Sequence, residues 1–303
     1  IWQFWDKWKA RWPTVSTSVG PLCDIYWNYG IDEDYLPWGQ PWGGTITINA
    51  GATYTTSRTV TLTLFCDDWG SGVRKMRFSN DIGATWSAWV TYATTYSYYM
   101  ANPGDGYKYV DVQYADYWSQ VTTALTIWDG ILLDTVAPVT TISHSPGSST
   151  VSLSATDATS GVLATYYRID LGAWITYAGP FTLTGTGTHT IDYYSKDKAG
   201  NNEATKQLKV HYLTVNTDPA GITTISGTGW YNQGTTAATG TAPATVTVGG
   251  ITYTFSAWKK DGAPVGGNPI SVFMDAPHTA TAVYIAPVTA SFKIWTDKTV
   301  YNI

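Results

Sequence analysis

The chain has few of the residues on which nucleic-acid-binding and membrane-spanning proteins depend. Only 13% of its 303 residues are charged, against about 25% in an ordinary soluble domain, and 17 Lys and Arg stand against 22 Asp and Glu. No stretch concentrates basic residues, so we expect no nucleic-acid partner. No run approaches the roughly 20 consecutive apolar residues that a bilayer helix needs, so we expect no membrane span.

Histidine and cysteine are also scarce. The four histidines are spread along the chain, and no HExxH, GxSxG or phosphate-loop motif occurs, so we expect no catalytic residues and no enzyme activity. Two cysteines are too few for a disulfide scaffold or a cysteine-based zinc site. We predict one bridge between Cys23 and Cys66, which would stabilise the fold by roughly 3–4 kcal/mol. The alternative is that Cys66 is a buried core residue and Cys23 is unpaired.

Aromatic residues are abundant, with 16 Trp and 22 Tyr. A segment of 42 residues cannot bury many indoles by itself, and an extended exposed aromatic patch marks an interaction surface. We therefore predict that the N-terminal tryptophans contact a partner; the alternatives are packing on the first module and stacking on sugar rings. These residues are Trp2, Trp5, Trp8, Trp12, Trp27, Trp38 and Trp42.

The strongest pattern in the chain is internal repetition. Residues 60–66 alternate in strand fashion and end at an acidic turn, and residues 151–155 do the same, so that Asp68 corresponds to Asp157. Residues 89–93 match residues 174–178 in the same order. Two copies of a module of roughly 80–90 residues, built from short strands and Gly, Asn, Asp and Pro turns, are typical of a tandem β-sandwich array.

The predicted fold class is therefore all-β, with tandem Ig-like β-sandwich modules. One strand closes the second module near residue 212, and a new strand opens the third module there. Phe292 and Ile294 alternate near the end of the chain without a partner strand, so we predict that they contact another subunit. The predicted segments are a Trp-rich arm or cap (1–44), Ig-like modules (45–134 and 135–211), a third β module (212–286) and the start of a further strand pair or an exchanged strand (287–303).

The repeats also resemble a known family. Residues 155–162 (ATDATSGV) and 193–201 (YYSKDKAGN) closely resemble Ig-like repeats of secreted bacterial and archaeal surface proteins. The third module, through residues 213–219 (LTVNTDP) and 274–278 (MDAPH), is similar to the divergent internalin-type B-repeat. This resemblance implies an extracellular modular protein with no defined catalytic activity.

The acidic turns are the candidate metal site. Calcium prefers several hard oxygen ligands, and Asp68, Asp157 and Asp197 supply carboxylates in predicted loops. Their spacing does not match an EF-hand, and Asp beside Gly or Ser also forms ordinary turns, because its side chain accepts a hydrogen bond from the backbone. Calcium ligand and turn former therefore remain two interpretations. We expect no other cofactor.

These observations predict a structural protein of the cell surface. The leading hypothesis is that it assembles with copies of itself into a filament, stalk or surface layer, through its aromatic N-terminal segment and strand exchange. One alternative is an adhesin or carbohydrate-binding array whose partner is a cell-surface glycan. The other is a non-catalytic part of a longer secreted enzyme.

Overall fold

The chain is built almost entirely from strands and turns. A single short 3-10 turn, Asn49–Gly51, interrupts them among the described residues, which confirms the all-β prediction. That part of the chain contains no helix long and apolar enough to cross a membrane. The computed structural model describes residues 41–68, 72–116, 119, 121–122 and 127–288.

The described residues fall into two compact units. The first unit holds residues 41–52, 58–103 and 107–131, apart from the gaps, and the second holds 53–57, 104–106 and 132–288. The first eight strands are β1 (Trp42–Ile48), β2 (Tyr54–Thr55), β3 (Thr59–Asp67), β4 (Val73–Ser79), β5 (Val90–Thr91), β6 (Thr95–Tyr99), β7 (Gly106–Asp116) and β8 (Trp128–Leu133).

The first unit is a two-sheet sandwich. One sheet has the strand order β1-β3-β6, and the other has the order β2-β8-β7-β4-β5. Alternate residues of β3 are buried, among them Leu62 and Leu64, as expected for a strand with one face on a core. Phe78 of β4 stacks on Tyr96 of β6 with ring centroids 5.0 Å apart, so the two sheets face each other.

Cys66 is buried in the same β3 pattern. Its predicted bridge partner, Cys23, lies outside the described residues. The disulfide therefore stays a prediction.

The second unit contains the remaining strands, in which the predicted second and third modules lie. They are β9 (Val139–His144), β10 (Thr150–Thr156), β11 (Val162–Ile169), β12 (Ile175–Thr176), β13 (Phe181–Thr182), β14 (Thr188–Asp197), β15 (Lys206–Asp218), β16 (Gly229–Asn232), β17 (Thr236–Ala238), β18 (Thr245–Val248), β19 (Ile251–Lys260), β20 (Ala263–Val265), β21 (Ser271–Phe273) and β22 (His278–Ile285).

One large sheet runs through the second unit in the order β12-β11-β14-β15-β22-β19-β18, with β16 paired to β15 and β20 paired to β19. A smaller sheet, β13-β10-β9, covers the second module, and β17-β21 covers part of the third. The second and third modules each have their own buried apolar cluster. The second module is thus a sandwich whose larger sheet continues into the third.

Candidate functional site: a shared wall and an acidic cluster

Strand β15 belongs to the second and the third module at once. Residues 206–211 pair antiparallel with β14, and residues 213–218 pair in parallel with β22. The sequence predicts two strands that meet at residue 212, whereas the structure has one strand of 13 residues. Together with β16, which pairs with residues 210–213, this strand forms what we call the shared wall.

The two cores lie on opposite faces of the shared wall. Trp230 of β16 is 2% exposed and packs in the cluster of the second module with Ile191 and Val210. Its neighbour Tyr231 packs in the cluster of the third module with Leu213. Successive side chains of a strand point to opposite faces, so this one pair of strands closes both cores. The predicted boundary at 211 and 212 falls inside the wall.

A turn of the second module also holds the wall in place. The backbone N–H of Gly147, between β9 and β10, donates to the carbonyl of Trp230 at 2.8 Å, and His144 Nδ1 lies 2.7 Å from Asn232 Oδ1. A Cβ atom on Gly229 would lie 2.1 Å from the Gly147 carbonyl oxygen. Position 229 therefore needs glycine because the two backbones approach so closely.

Matching aspartate and histidine contacts fix one turn in each of these two modules. Asp170 Oδ2 lies 2.6 Å from His189 Nδ1, and Asp261 Oδ2 lies 2.7 Å from His278 Nδ1. Each aspartate also accepts the backbone N–H of the threonine that follows the histidine, at 2.8 and 2.9 Å. Burial favours a higher pKa for Asp170, but the hydrogen bonds from Thr190 and His189 outweigh it and lower that pKa.

His211 lies in the middle of the shared wall and is 3% exposed. Its Nδ1 is 2.8 Å from Thr188 Oγ1 on β14, whereas its Nε2 has no hydrogen-bond partner among the described residues. Burial lowers the pKa of this imidazole below its ordinary value, and nearby Lys209 lowers it further.

Two of the three predicted metal ligands come together in the second unit. Carboxylate oxygens of Asp157 and Asp197 lie with one of Asp134 inside 4.8 Å of one another; we call this set the acidic cluster. It is the single group of three potential metal-ligating side chains within the described ranges. Asp134 and Asp197 are fully buried. Carboxylates this close repel one another, and a hard cation is the chemical species that would relieve the repulsion.

The same aspartates form turns. Asp157 Oδ1 accepts the backbone N–H of Gly161 at 2.6 Å, and Asp197 Oδ1 accepts those of Gly200 and Asn201 at 2.7 and 2.8 Å. Asp134 Oδ2 accepts the N–H of Ser160 at 3.0 Å. The turn-forming role is thus present, and calcium stays a prediction.

Asp68 does not join the acidic cluster. It lies in the first unit, where its backbone N–H donates to Asp67 Oδ1 at 2.9 Å. The register pairs Val73 with Asp116 as it pairs Val162 with Asp197, so Asp116 is the counterpart of Asp197. Asp134 was not predicted because it lies before the repeated segment, four residues ahead of Pro138.

Most of the predicted partner-contact residues, Phe292 and Ile294 among them, lie outside the described residues. Trp42 is described by its backbone alone, as the first residue of β1, which pairs with Asp67. The tryptophans outside the described ranges are Trp2, Trp5, Trp8, Trp12, Trp27 and Trp38.

An exposed aromatic strip on the first unit was not predicted. It consists of Tyr107, Tyr109 and Trp128, which are 53%, 41% and 50% exposed. The ring centroids of Tyr107 and Tyr109 are 4.8 Å apart, and those of Tyr109 and Trp128 are 5.4 Å apart. The available signal was the alternation of these tyrosines with buried Lys108 and Val110 along β7. We call these three residues the aromatic strip.

No protein-family model matches the chain, and no curated protein is similar enough to count as a relative. Among solved structures, the chain is similar to the fibronectin(III)-like modules of Clostridium thermocellum CbhA, with 13% sequence identity and a TM-score of 0.34, over 55% of this chain and 92% of that chain. So loose a likeness carries no argument about activity or partners. The assignment as an all-β chain with sandwich modules rests on the sheets described above.

Proposed function

We propose that this chain is a non-catalytic structural segment of an extracellular protein at the cell surface. The shared wall is the observation that carries the proposal. Two modules built on one continuous strand cannot bend against each other without breaking the hydrogen bonds of β15 with β14 or β22. A stiff tandem of modules suits a stalk, filament or surface layer, which must transmit load along its length.

Copies of the chain join by strand exchange in this proposal. Among the described residues, β6 pairs with β3 alone, and an unpaired strand edge is a template for a strand from another chain. A head-to-tail contact that does not close on itself builds a filament. The proposed donors are residues 1–40 of the Trp-rich segment and residues 287–303.

Negative-stain electron microscopy of the full chain and of a variant without residues 1–40 tests this proposal. We expect filaments or sheets from the full chain and isolated particles from the deletion variant, with unchanged far-ultraviolet circular dichroism. Polymers that persist after the deletion contradict the role of the arm. Isolated particles from both proteins contradict self-assembly and favour the accessory part of a longer secreted enzyme.

A second candidate function, binding of a cell-surface glycan, is favoured by the aromatic strip. Exposed Tyr and Trp faces can stack on the apolar face of a sugar ring, and a monomer rarely exposes clustered rings without a function. Titration with a glycan panel should then quench Trp fluorescence in a saturable way. Trp128→Ala should abolish the quenching, whereas Phe65→Ala, also at an exposed aromatic residue of the first unit, should leave it intact.

Two narrower expectations belong to the same proposal. The third module is proposed as a relative of the internalin-type B-repeat on the residues quoted above. Calcium is the proposed ligand of the acidic cluster, with Asp134 in the place first given to Asp68.

A further inference from the structure

The shared wall contains one buried imidazole, that of His211. His211 sits where residues of β14, β15 and β16 meet, on the face of the wall that carries Leu213 and Tyr231 of the third module's core. We propose that the wall is an acid-sensitive joint, closed while His211 is neutral and loosened when its buried ring takes up a second proton.

The hydrogen bonds of the ring suit the neutral form. Thr188 Oγ1 engages Nδ1 at 2.8 Å, and Nε2 is buried without a hydrogen-bond partner in the described part of the chain. A neutral imidazole tolerates one ring nitrogen without a hydrogen-bond partner. An imidazolium has two N–H donors, so protonation would bury a charged donor that has no acceptor, which is among the costlier states in a protein interior.

The charged groups around His211 divide into two sets. Lys209 on the same strand and His278 of β22 disfavour a positive charge on the ring of His211, whereas Asp275 favours that charge. Asp275 is already engaged, since its Oδ1 lies 2.8 Å from His278 Nε2, and this hydrogen bond lowers the pKa of the Asp275 carboxyl. The carboxylate that favours a charged His211 therefore already binds another imidazole. Tyr231, the cross-strand neighbour of His211, is a buried phenol whose burial raises its pKa.

The other histidines of the second unit have different hydrogen-bond partners. His278 lies between Asp261 and Asp275. His189, on the opposite face of the wall, lies between Asp170 Oδ2 and the Thr184 carbonyl. Both rings have an acceptor at each nitrogen, so a second proton adds a hydrogen bond in these places. His211 is the histidine whose protonation opposes the closed wall.

The direction of the pH effect follows from the lowered pKa. An opened wall returns His211 to its ordinary pKa of 6.5, so the open state binds a proton at a higher pH than the closed state does. The contribution of His211 to closure is complete above pH 6.5 and is lost progressively as the pH falls from there to the pKa of the closed state. The wall therefore opens more often at a pH below 6.5 than at a pH above it.

Hydrogen exchange of the full chain measures this opening. Peptides covering residues 206–218 and 229–232 are followed at pH 7.5, 6.0 and 5.0, with correction for the intrinsic exchange rate. We expect several-fold faster corrected exchange in these peptides at pH 5.0 than at pH 7.5. We expect little change in peptides of β3 and β7.

The variant His211→Gln removes the titration and should make the exchange of the wall independent of pH over this range. The control His144→Gln removes a histidine with a contact on both ring nitrogens, one of them to Asn232 of the wall. It should raise the exchange of the wall by a similar factor at every pH and so retain the acid response. An unchanged acid response in His211→Gln overturns the proposal. If this variant does not fold, the pKa of His211 measured by NMR in the native chain decides, and a value at or above 6.5 overturns it.

Discussion

The first and second modules have similar sequences, but their cores are completed in different ways. In the first unit, the fully buried side chains of β3, β4, β7 and β8, such as Leu62, Met76, Val110 and Ile131, come from the repeat itself. In the second module the buried cluster is small, and its largest member, Trp230, comes from β16, beyond the end of the repeat. A sequence repeat is therefore not always a unit that folds on its own.

The acidic turns differ in the same way. The second module gathers Asp134, Asp157 and Asp197, and Asp134 lies in the segment that connects it to the first module. In the first unit the corresponding residues are Asp68 and Asp116. The acidic cluster of the second module therefore also depends on a residue outside the repeated segment, Asp134.

Replacing Trp230, which joins the core of the second module from outside the repeat, should have the largest effect on stability. Trp230→Ala deletes a buried indole, which costs about 3–5 kcal/mol of the free energy of unfolding. Because both cores abut the wall, we expect the second and third modules to lose stability together while the first unit keeps its own. Denaturant unfolding with hydrogen exchange as the local readout measures this.

Trp174→Ala is the matched control for that experiment. Trp174 is half exposed and contacts Arg168 and Tyr194 at the surface of the second module, so its removal should cost about 1 kcal/mol or less. Equal losses for the two variants would contradict a special role for Trp230.

Calcium should distinguish the acidic turns of the two modules. A ligand present at 100 times its Kd stabilises the folded state by about 2.7 kcal/mol. We therefore expect calcium to raise the Tm of the second unit, chelation to reverse the increase, and the Tm of the first unit to stay constant. Differential scanning calorimetry of the full chain measures both transitions.

Asp157→Asn should remove most of this increase, and Asp218→Asn, at an exposed aspartate of the same unit, should leave it unchanged. Identical calorimetric traces with calcium and with chelator would show that the residues of the acidic cluster form turns and do not bind calcium.

Crowding at the wall should have a smaller effect. Gly229→Ala places a Cβ atom against the Gly147 carbonyl, and overpacking of this kind costs about 1–3 kcal/mol. Gly266→Ala adds a methyl group where no atom lies within 4 Å and should cost nothing measurable. Thermal unfolding compares the two, and a Gly229→Ala protein as stable as the native chain would show that the turn does not hold the wall.

Much of the fold could be predicted from the sequence, because the alternation of apolar and polar residues along a strand is a local pattern. Residues 60–66 alternate in the sequence, and β3 has that alternating burial. The continuous β15 was not predicted, because the repeat ends near residue 212. The repeat also gives no information on pairing with β22, more than 60 residues further along the chain. Long-range pairing depends on which edges meet, and a single strand does not encode this.

The candidate site was predicted in part for the same reason. Asp157 and Asp197 were identified from their own turns, whereas Asp134 and Trp230 reach the second module from outside it. The aromatic strip was not predicted, because the exposure of a side chain on a sheet depends on which face the opposite sheet covers.

Native-state hydrogen exchange of the full chain tests most directly whether the second and third modules share one core-closing wall. The slowest amides of β14, in the second module, and of β19, in the third, are compared as denaturant increases. We expect both sets to converge on one global opening, with the same free energy and the same denaturant dependence. Two separate openings, in which β14 exchanges while β19 stays protected, would contradict a shared wall and restore the modules as independent folding units.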